Sequence, residues 1–195
     1  MACAVLDSVQ RYMVHLQNSR GHTSKDATNL LYKARELAGN DVIIRDARVS
    51  KKYIELDISL PDDMGIDDLV LKLAPISPLA SFEHIVERRM EKDEAIKRAV
   101  KLFNDEKYWS AHEALERVWK DASGEEKNIL NGIILVAAAF VHDQKDEPEI
   151  CQSILQRARK KLEGTGGNYH GIDVDMIADR ISKIVNSGRI ERFTI

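Results

Sequence analysis

The spacing of apolar residues changes near Glu87, and this change constrains the fold more than any other feature of the sequence. Before it, apolar and polar residues alternate in short stretches such as 53–60, which is the period of a half-buried β-strand. After it, apolar residues recur every three or four positions, as they do along one face of an α-helix. The chain is therefore predicted to be an α+β protein with two domains, 1–86 and 87–195.

The first domain is predicted to contain six elements in the order strand, helix, strand, strand, helix, strand. The strands are expected at 10–18, 42–49, 53–60 and 81–86, and the helices at 27–38 and 66–73. The short link at 50–52 favours an antiparallel hairpin. This βαββαβ order predicts a ferredoxin-like domain, a fold that leaves one face of its sheet uncovered.

The uncovered face of this predicted sheet is the candidate surface for binding partners. Tyr53, Glu55, Asp57 and Ser59 are expected to face outward, opposite the apolar residues of the same strand. Acidic side chains repel phosphate, so nucleic-acid binding by this face is not expected. We expect the face to dock against the second half of the chain or to support self-association. His15 and His84 are expected at the solvent or at the domain junction.

The second domain is predicted to be an all-α helical bundle. Its helices are expected at 94–103, 105–120, 125–143, 148–162 and 174–186. Ser123 and Glu126 have the spacing of a capping box for the third of these helices, and Asp173 is expected to cap the last. The loop at 164–171 is a candidate lid. Residues 189–195 are expected to form a short strand, which is a candidate to join the sheet of the first domain.

The composition excludes several classes of protein. Apolar residues make up 44% of the chain and charged residues 31%, with a formal net charge of −3 and no basic block of the kind that binds duplex nucleic acid. Cys3 and Cys151 form no metal or redox motif, and free thiols are expected. The longest apolar run, 133–141, is too short to span a bilayer, and no signal peptide is evident, so a cytoplasmic protein with no membrane partner is expected.

A polar pair beside a tryptophan marks the candidate site. His112, Glu116 and Trp119 are four and three residues apart, so they share one stripe of a helix. Antiparallel packing of the next helix pairs positions whose numbers sum to about 243, which brings Asn131 opposite His112. Tyr108 precedes His112 by four residues, and we include it with Trp119 and Asn131 as candidate ligand-binding residues.

Three functions remain open for this site. In the first, it binds or hydrolyses a small molecule, with His112 as general base and Glu116 orienting it. In the second, the protein is a non-enzymatic regulator or scaffold, and the trio is a buried polar network between helices. In the third, His112 and Glu116 bind a divalent metal; this reading lacks a third strong ligand, because His142 lies eleven residues beyond Asn131. The cofactor is left open.

Residues 103–119 resemble the signature H-x-x-x-E-x-x-W of the domain-of-unknown-function family 309. The stretch Asn131-Gly132-Ile133-Ile134-Leu135-Val136-Ala137-Ala138 followed by His142, and Gly171-Ile172-Asp173-Val174, also resemble motifs of that family. The resemblance covers about 94–185 and implies a small helical bundle without an established activity. Asn131 stands where the family has glutamine, and Leu135 replaces a second polar residue, so a site built on those glutamines would be altered here.

Overall fold

The computed structural model describes residues 9–86 and 90–195 of this chain. The chain divides into two compact units, 1–88 and 89–195. The first unit contains a four-stranded antiparallel sheet with two helices, and the second is helical apart from one very short hairpin. The architecture is thus mixed α+β, as the change in apolar spacing predicts. Cys3 lies outside the described residues, and Cys151 is a buried free thiol.

The elements of the first unit follow one another in the predicted order. They are β1 (Val9–Gln17), α1 (Ala27–Ala38), β2 (Ile43–Val49), β3 (Tyr53–Pro61), α2 (Ile66–Leu73) and β4 (Leu79–His84). The strands are arranged β2-β3-β1-β4, and every neighbouring pair is antiparallel. Apolar side chains from β1 and β3 meet Leu30, Ala34, Leu69 and Leu73 of the helices in one core.

The prediction that Glu55, Asp57 and Ser59 are exposed is wrong, because they are only 5%, 3% and 2% exposed. Alternation correctly predicts that they lie on the opposite side of β3 from Ile54, Leu56 and Ile58. Buried charges in proteins are paired, and here they are.

The cations that pair with these acids come from the neighbouring strands. His15 donates to Glu55 over 2.8 Å, Arg48 donates to Glu55 over 2.5 Å, and Arg11 makes two hydrogen bonds to Asp57. His15 is therefore a buried network residue rather than a solvent-facing one, whereas His84 is exposed.

The second unit consists of five longer helices and a small hairpin. These are α3 (Lys92–Asn104), α4 (Tyr108–Asp121), α5 (Gly124–Asp143), α6 (Pro148–Leu162) and α7 (Val174–Ser187), with β5 (Asn168–Tyr169) and β6 (Ile172–Asp173) before α7. Helix α5 is buried around most of its circumference, as its apolar sequence predicts. None of the helices within the described ranges is long and apolar enough to cross a membrane.

Three local predictions for this unit need correction. Helix α4 begins at Tyr108 rather than at 105, because Asp105 and Glu106 form a turn in which Glu106 has a φ of 59°. The predicted capping box of α5 is absent. Ser123 makes no side-chain hydrogen bond as N-cap, and the Glu126 carboxylate accepts from Tyr169 and pairs with Lys92.

The predicted strand at 189–195 is the third correction. The segment has no regular secondary structure, and it packs on the helices of its own unit. Phe193 lies with its ring centroid 5.3 Å from that of Phe140, and Asn104 exchanges two hydrogen bonds with the backbone of Ile195. Asp173, by contrast, caps α7 as predicted by accepting from the Met176 backbone N–H.

Candidate functional site

Of its candidate residues, helix α4 carries Tyr108 on its buried face and the other three beside that face. The buried positions are Tyr108, Ser110, Ala111, Leu115 and Val118. At 100° per residue, the stripe of His112, Glu116 and Trp119 flanks that buried face. All three residues are accordingly half-buried. A half-buried polar stripe is accessible to a ligand while the apolar face beside it holds the helix in place.

Three side chains of this helix converge at one point. The ligand atoms of His112, Glu113 and Glu116 all lie within 4.8 Å of one another, and each residue is half-buried. His112 Nδ1 lies 3.4 Å from Glu113 Oε1, at side-chain exposures of 26% and 37%. No Glu116 oxygen lies at hydrogen-bond distance from His112 within residues 9–86 and 90–195. The imidazole thus lies near two carboxylates and is tightly bonded to neither.

Trp119 closes one end of this stripe. Its ring packs against the apolar core of the unit, and Lys127 Nζ lies 4.8 Å from the ring centroid, within the range of a cation–π interaction. The indole Nε1–H is buried and has no hydrogen-bond partner among the described residues. A buried donor without a partner costs free energy.

The contact between Trp119 and Lys127 also fixes how α4 and α5 face each other. The residue numbers of this pair sum to 246, close to the sum of 243 predicted for facing positions of the two antiparallel helices. Because of this small offset, Lys127 faces Trp119 rather than Glu116. Asn131 is half-buried one turn further along α5. Its amide has no hydrogen-bond partner in the described part of the chain. Its place in the site stays a prediction.

Tyr108 lies apart from the converging side chains. It is 1% exposed, and its ring centroid is 5.0 Å from that of Phe103 and 5.1 Å from that of Phe140. Burial raises the pKa of its phenol above the ordinary value. The structure therefore places Tyr108 in the aromatic core of the unit, on the same helix as His112 but not with it.

Two other candidates have partners of their own. His142 Nδ1 lies 2.5 Å from Glu147 Oε2, and His142 is not part of the group around His112. In the 164–171 loop, Tyr169 donates to Glu126, and His170 Nδ1 lies 3.2 Å from Asp93 Oδ1. These loop contacts are with the first turns of α5 and α3.

Sequence reasoning missed Glu113. On a helical wheel Glu113 lies 100° from His112, so it does not share the stripe of His112, Glu116 and Trp119. A side chain of three rotatable bonds can span that offset at a half-buried position, so adjacent residues can converge. The H-E-x-x-E spacing does not predict Glu113 as a ligand either, because in the similar zinc-protease motif H-E-x-x-H the first and last residues bind the metal and the glutamate is the general base.

Comparison with known proteins bears on this half of the chain. No curated protein matches the sequence. A crystal structure of a conserved hypothetical protein from Thermus thermophilus aligns with 46% of this chain and 94% of that one, at 29% identity and a TM-score of 0.41. Residues 96–154, which include all of α4, match the family described as Domain of unknown function (DUF309). This match confirms the family resemblance predicted in the C-terminal half over that range, and the predicted motif at 171–174 lies outside it.

Proposed function

We propose that the helical unit binds a divalent transition-metal ion through His112, Glu113 and Glu116, and that this centre binds or hydrolyses a small molecule. The observation that carries the proposal is the convergence of the three ligand atoms within 4.8 Å. It supplies the third ligand that the metal interpretation of the sequence lacks. Metal ligands lie about 2.0–2.2 Å from the ion, so two of them are at most roughly 4 Å apart. Small side-chain rotations would close that difference.

The donor set restricts the choice of ion. One imidazole and two carboxylates suit zinc, manganese, iron(II), cobalt or nickel, and the absence of thiolates from the group disfavours copper(I). Two carboxylates also carry a formal charge of −2, which a divalent cation balances.

The arrangement leaves room for a substrate. Three ligands from a single helix occupy one side of an ion, and catalytic metal sites keep at least one position for water or substrate. Trp119 lies on the same stripe, and its half-buried ring is a candidate apolar wall for that substrate. A bound metal would lower the pKa of a coordinated water and polarise an ester or amide, which is the chemistry of hydrolysis.

The structural-network alternative has weaker support. It requires His112, Glu116 and Asn131 to be sealed and bonded to one another. His112 is 26% exposed, and within the described residues neither Glu116 nor Asn131 makes a hydrogen bond. A buried network that specifies packing is fully paired, and this group is not.

Metal titration of the purified protein tests the proposal. We expect one zinc or manganese ion per chain, and binding at least tenfold weaker in His112→Gln and Glu113→Gln, since each variant removes a ligand. His142→Gln is the matched control, because His142 also pairs with a carboxylate at a similar exposure of 30%. Absence of binding, or equal loss in His142→Gln, would refute the site. Hydrolysis of model esters is then assayed with the metal-loaded protein.

For the N-terminal unit we also propose the ferredoxin-like fold class. The strand order β2-β3-β1-β4, antiparallel throughout, and the helices that follow β1 and β3 support it.

A further inference from the structure

A small pocket in the N-terminal unit is lined by more basic than acidic side chains. Its volume is about 180 Å³. Three of its residues carry nitrogen donors that are or can be cationic, one is an amide, one is an acid and two are apolar. They are Arg20, His22, Lys33, Asn29, Asp26, Leu30 and Ile76.

The two permanent cations of the pocket have no counter-ion. Arg20 and Lys33 make no ion pair or hydrogen bond with any residue in 9–86 or 90–195. They differ in this from Arg11 and Arg48 of the same unit, which are paired with buried acids. Because both line the same pocket, one bound oxyanion can accept hydrogen bonds from both side chains.

The one acid in the pocket is already engaged. Asp26 accepts from the Thr23 backbone N–H over 2.7 Å and from the Thr23 hydroxyl over 3.2 Å, which closes the first turn before α1. Its Oδ2 also lies 3.8 Å from His22 Nδ1. The pocket keeps a net formal charge of +1 with His22 neutral, and +2 with His22 protonated.

The loop that carries Arg20 and His22 is fixed before any ligand binds. The Asn18 side chain accepts from the His22 backbone N–H and donates to the His22 and Ser50 carbonyls, each over 2.8 Å. Gly21 has a φ of +68°, a conformation that few other residues adopt. A rigid loop loses little entropy on binding, so its donors are used efficiently.

The remaining walls come from a helix and an apolar floor. Asp26, Asn29, Leu30 and Lys33 recur at spacings of three and four and so lie on one stripe at the start of α1. Leu30 and Ile76 are 6% and 1% exposed. Ser77 ties this floor to β1 by donating to the Gln17 carbonyl.

We propose that this pocket binds the phosphate group of a small phosphorylated molecule, or inorganic phosphate. A guanidinium, an ammonium, an imidazole and an amide offer donors in several directions, which suits a tetrahedral oxyanion. The volume of about 180 Å³ is sufficient for a phosphate group.

Titration of the full chain with inorganic phosphate, at constant ionic strength, tests the inference. Amide chemical shifts in the nuclear magnetic resonance spectrum report the site, and we expect saturable changes confined to residues near 20–33 and 76. Arg20→Gln combined with Lys33→Gln should weaken binding by about tenfold or more. Arg20→Lys combined with Lys33→Arg keeps both charges and should retain most of the affinity.

Lys25→Gln is the matched control, because Lys25 is an exposed cation in the turn before α1 that does not line the pocket. Binding in this variant should equal that of the wild type. Linear, unsaturated shifts at millimolar phosphate, or equal weakening by Lys25→Gln, would overturn the inference. A short phosphomonoester that binds more tightly than inorganic phosphate would identify the ligand as the ester.

Discussion

Glu55 is a buried charge whose pairing is expected to stabilise the N-terminal unit. Its two carboxylate oxygens accept from His15 and Arg48, which are both 2% exposed. Removing one partner of a buried ion pair leaves the other charge without compensation. We expect Glu55→Gln to lower the free energy of unfolding of this unit by about 3 kcal/mol. Native-state hydrogen exchange of the β3 amides measures that free energy.

The control for this substitution is Glu36→Gln. Glu36 is exposed on α1 and has no ion pair among the described residues, so its loss should stay within about 0.5 kcal/mol. If both variants lowered β3 protection equally, the network would contribute nothing specific.

The same residue predicts how stability depends on pH. Burial opposes ionisation of Glu55, but the hydrogen bond from His15 and the charge of Arg48 outweigh it and lower the pKa to about 2, from an ordinary 4.5. A carboxyl whose pKa is depressed by folding stabilises the protein fully above pH 4.5, and this contribution is lost as the pH falls towards 2. It is worth about 3 kcal/mol.

Wild type and Glu55→Gln should therefore differ most at neutral pH and converge as the pH falls below about 4.5. Urea unfolding of both proteins at a series of pH values measures the difference, in which the other titrating acids largely cancel. A constant difference down to about pH 3 would contradict the lowered pKa.

The alternation of apolar and polar residues along β3 predicts which side of the sheet each residue occupies, and for Glu55 and Asp57 that side is correct. It does not predict burial, because burial depends on what lies over that side. The pairing partners come from β1 and β2, at separations of 40 and 7 residues. A pattern within one strand contains no information about them.

Among the helices, α5 packs closely against Leu162 of α6 at Gly132. A Cβ placed on Gly132 would lie 2.6 Å from Leu162 Cγ, and Leu162 is itself only 3% exposed. Gly132→Ala should therefore destabilise the helical unit by about 1–2 kcal/mol, although alanine favours helix by roughly 1 kcal/mol. Denaturant unfolding of the variant measures the loss.

A second substitution separates overpacking from other causes. In a Leu162→Ala background the added methyl group has space, so Gly132→Ala should become neutral or stabilising. An unchanged penalty in that background would mean that the close approach to Leu162 is not its origin.

Helix caps provide a matched pair of tests. Asp173 accepts from the Met176 backbone N–H over 2.9 Å, whereas Ser123 makes no side-chain bond at the start of α5. We expect Asp173→Ala to cost about 1 kcal/mol and Ser123→Ala much less. Thermal unfolding of the two variants compares them, and equal costs would contradict the difference in capping.

The helices themselves were largely predictable, because periodicity is local and the apolar face alone determines it. Pro148 begins α6 and Gly188 ends α7 as their backbone preferences require. The capping box predicted from Ser123 and Glu126 is absent. The Glu126 carboxylate instead accepts a hydrogen bond from Tyr169, which lies 43 residues away in the sequence. The local sequence does not show which hydrogen-bond partner such a side chain takes, because the partner comes from a distant part of the chain.

At the scale of the whole molecule, the candidate site was only partly predictable. The stripe of His112, Glu116 and Trp119 follows from helical spacing. The half-exposure of His112 depends on how α4 packs, and the convergence of Glu113 depends on its rotamer. Neither is set by the order of residues in one helix.

The C-terminal segment tests the architecture of the helical unit. Phe193 lies against Phe103 and Phe140, and Arg192 pairs with Asp143 at 2.6 Å and with Glu106 at 3.2 Å. Phe193→Ala removes an aromatic ring from a partly buried position, so we expect a loss of about 2 kcal/mol, less than for a fully buried phenylalanine. Hydrogen exchange of the α3 and α5 amides measures it.

Thr194→Ala is the control, because Thr194 is the exposed neighbour of Phe193. It should leave the protection of both helices unchanged. The location of the effect matters as much as its size. A segment that packs on α3 and α5 lowers protection there, whereas a strand added to the N-terminal sheet would lower it in β2 or β4, the edge strands of that sheet. Loss of hydrogen-exchange protection confined to β2 or β4 would contradict the packing on α3 and α5 and support the strand that the sequence predicts.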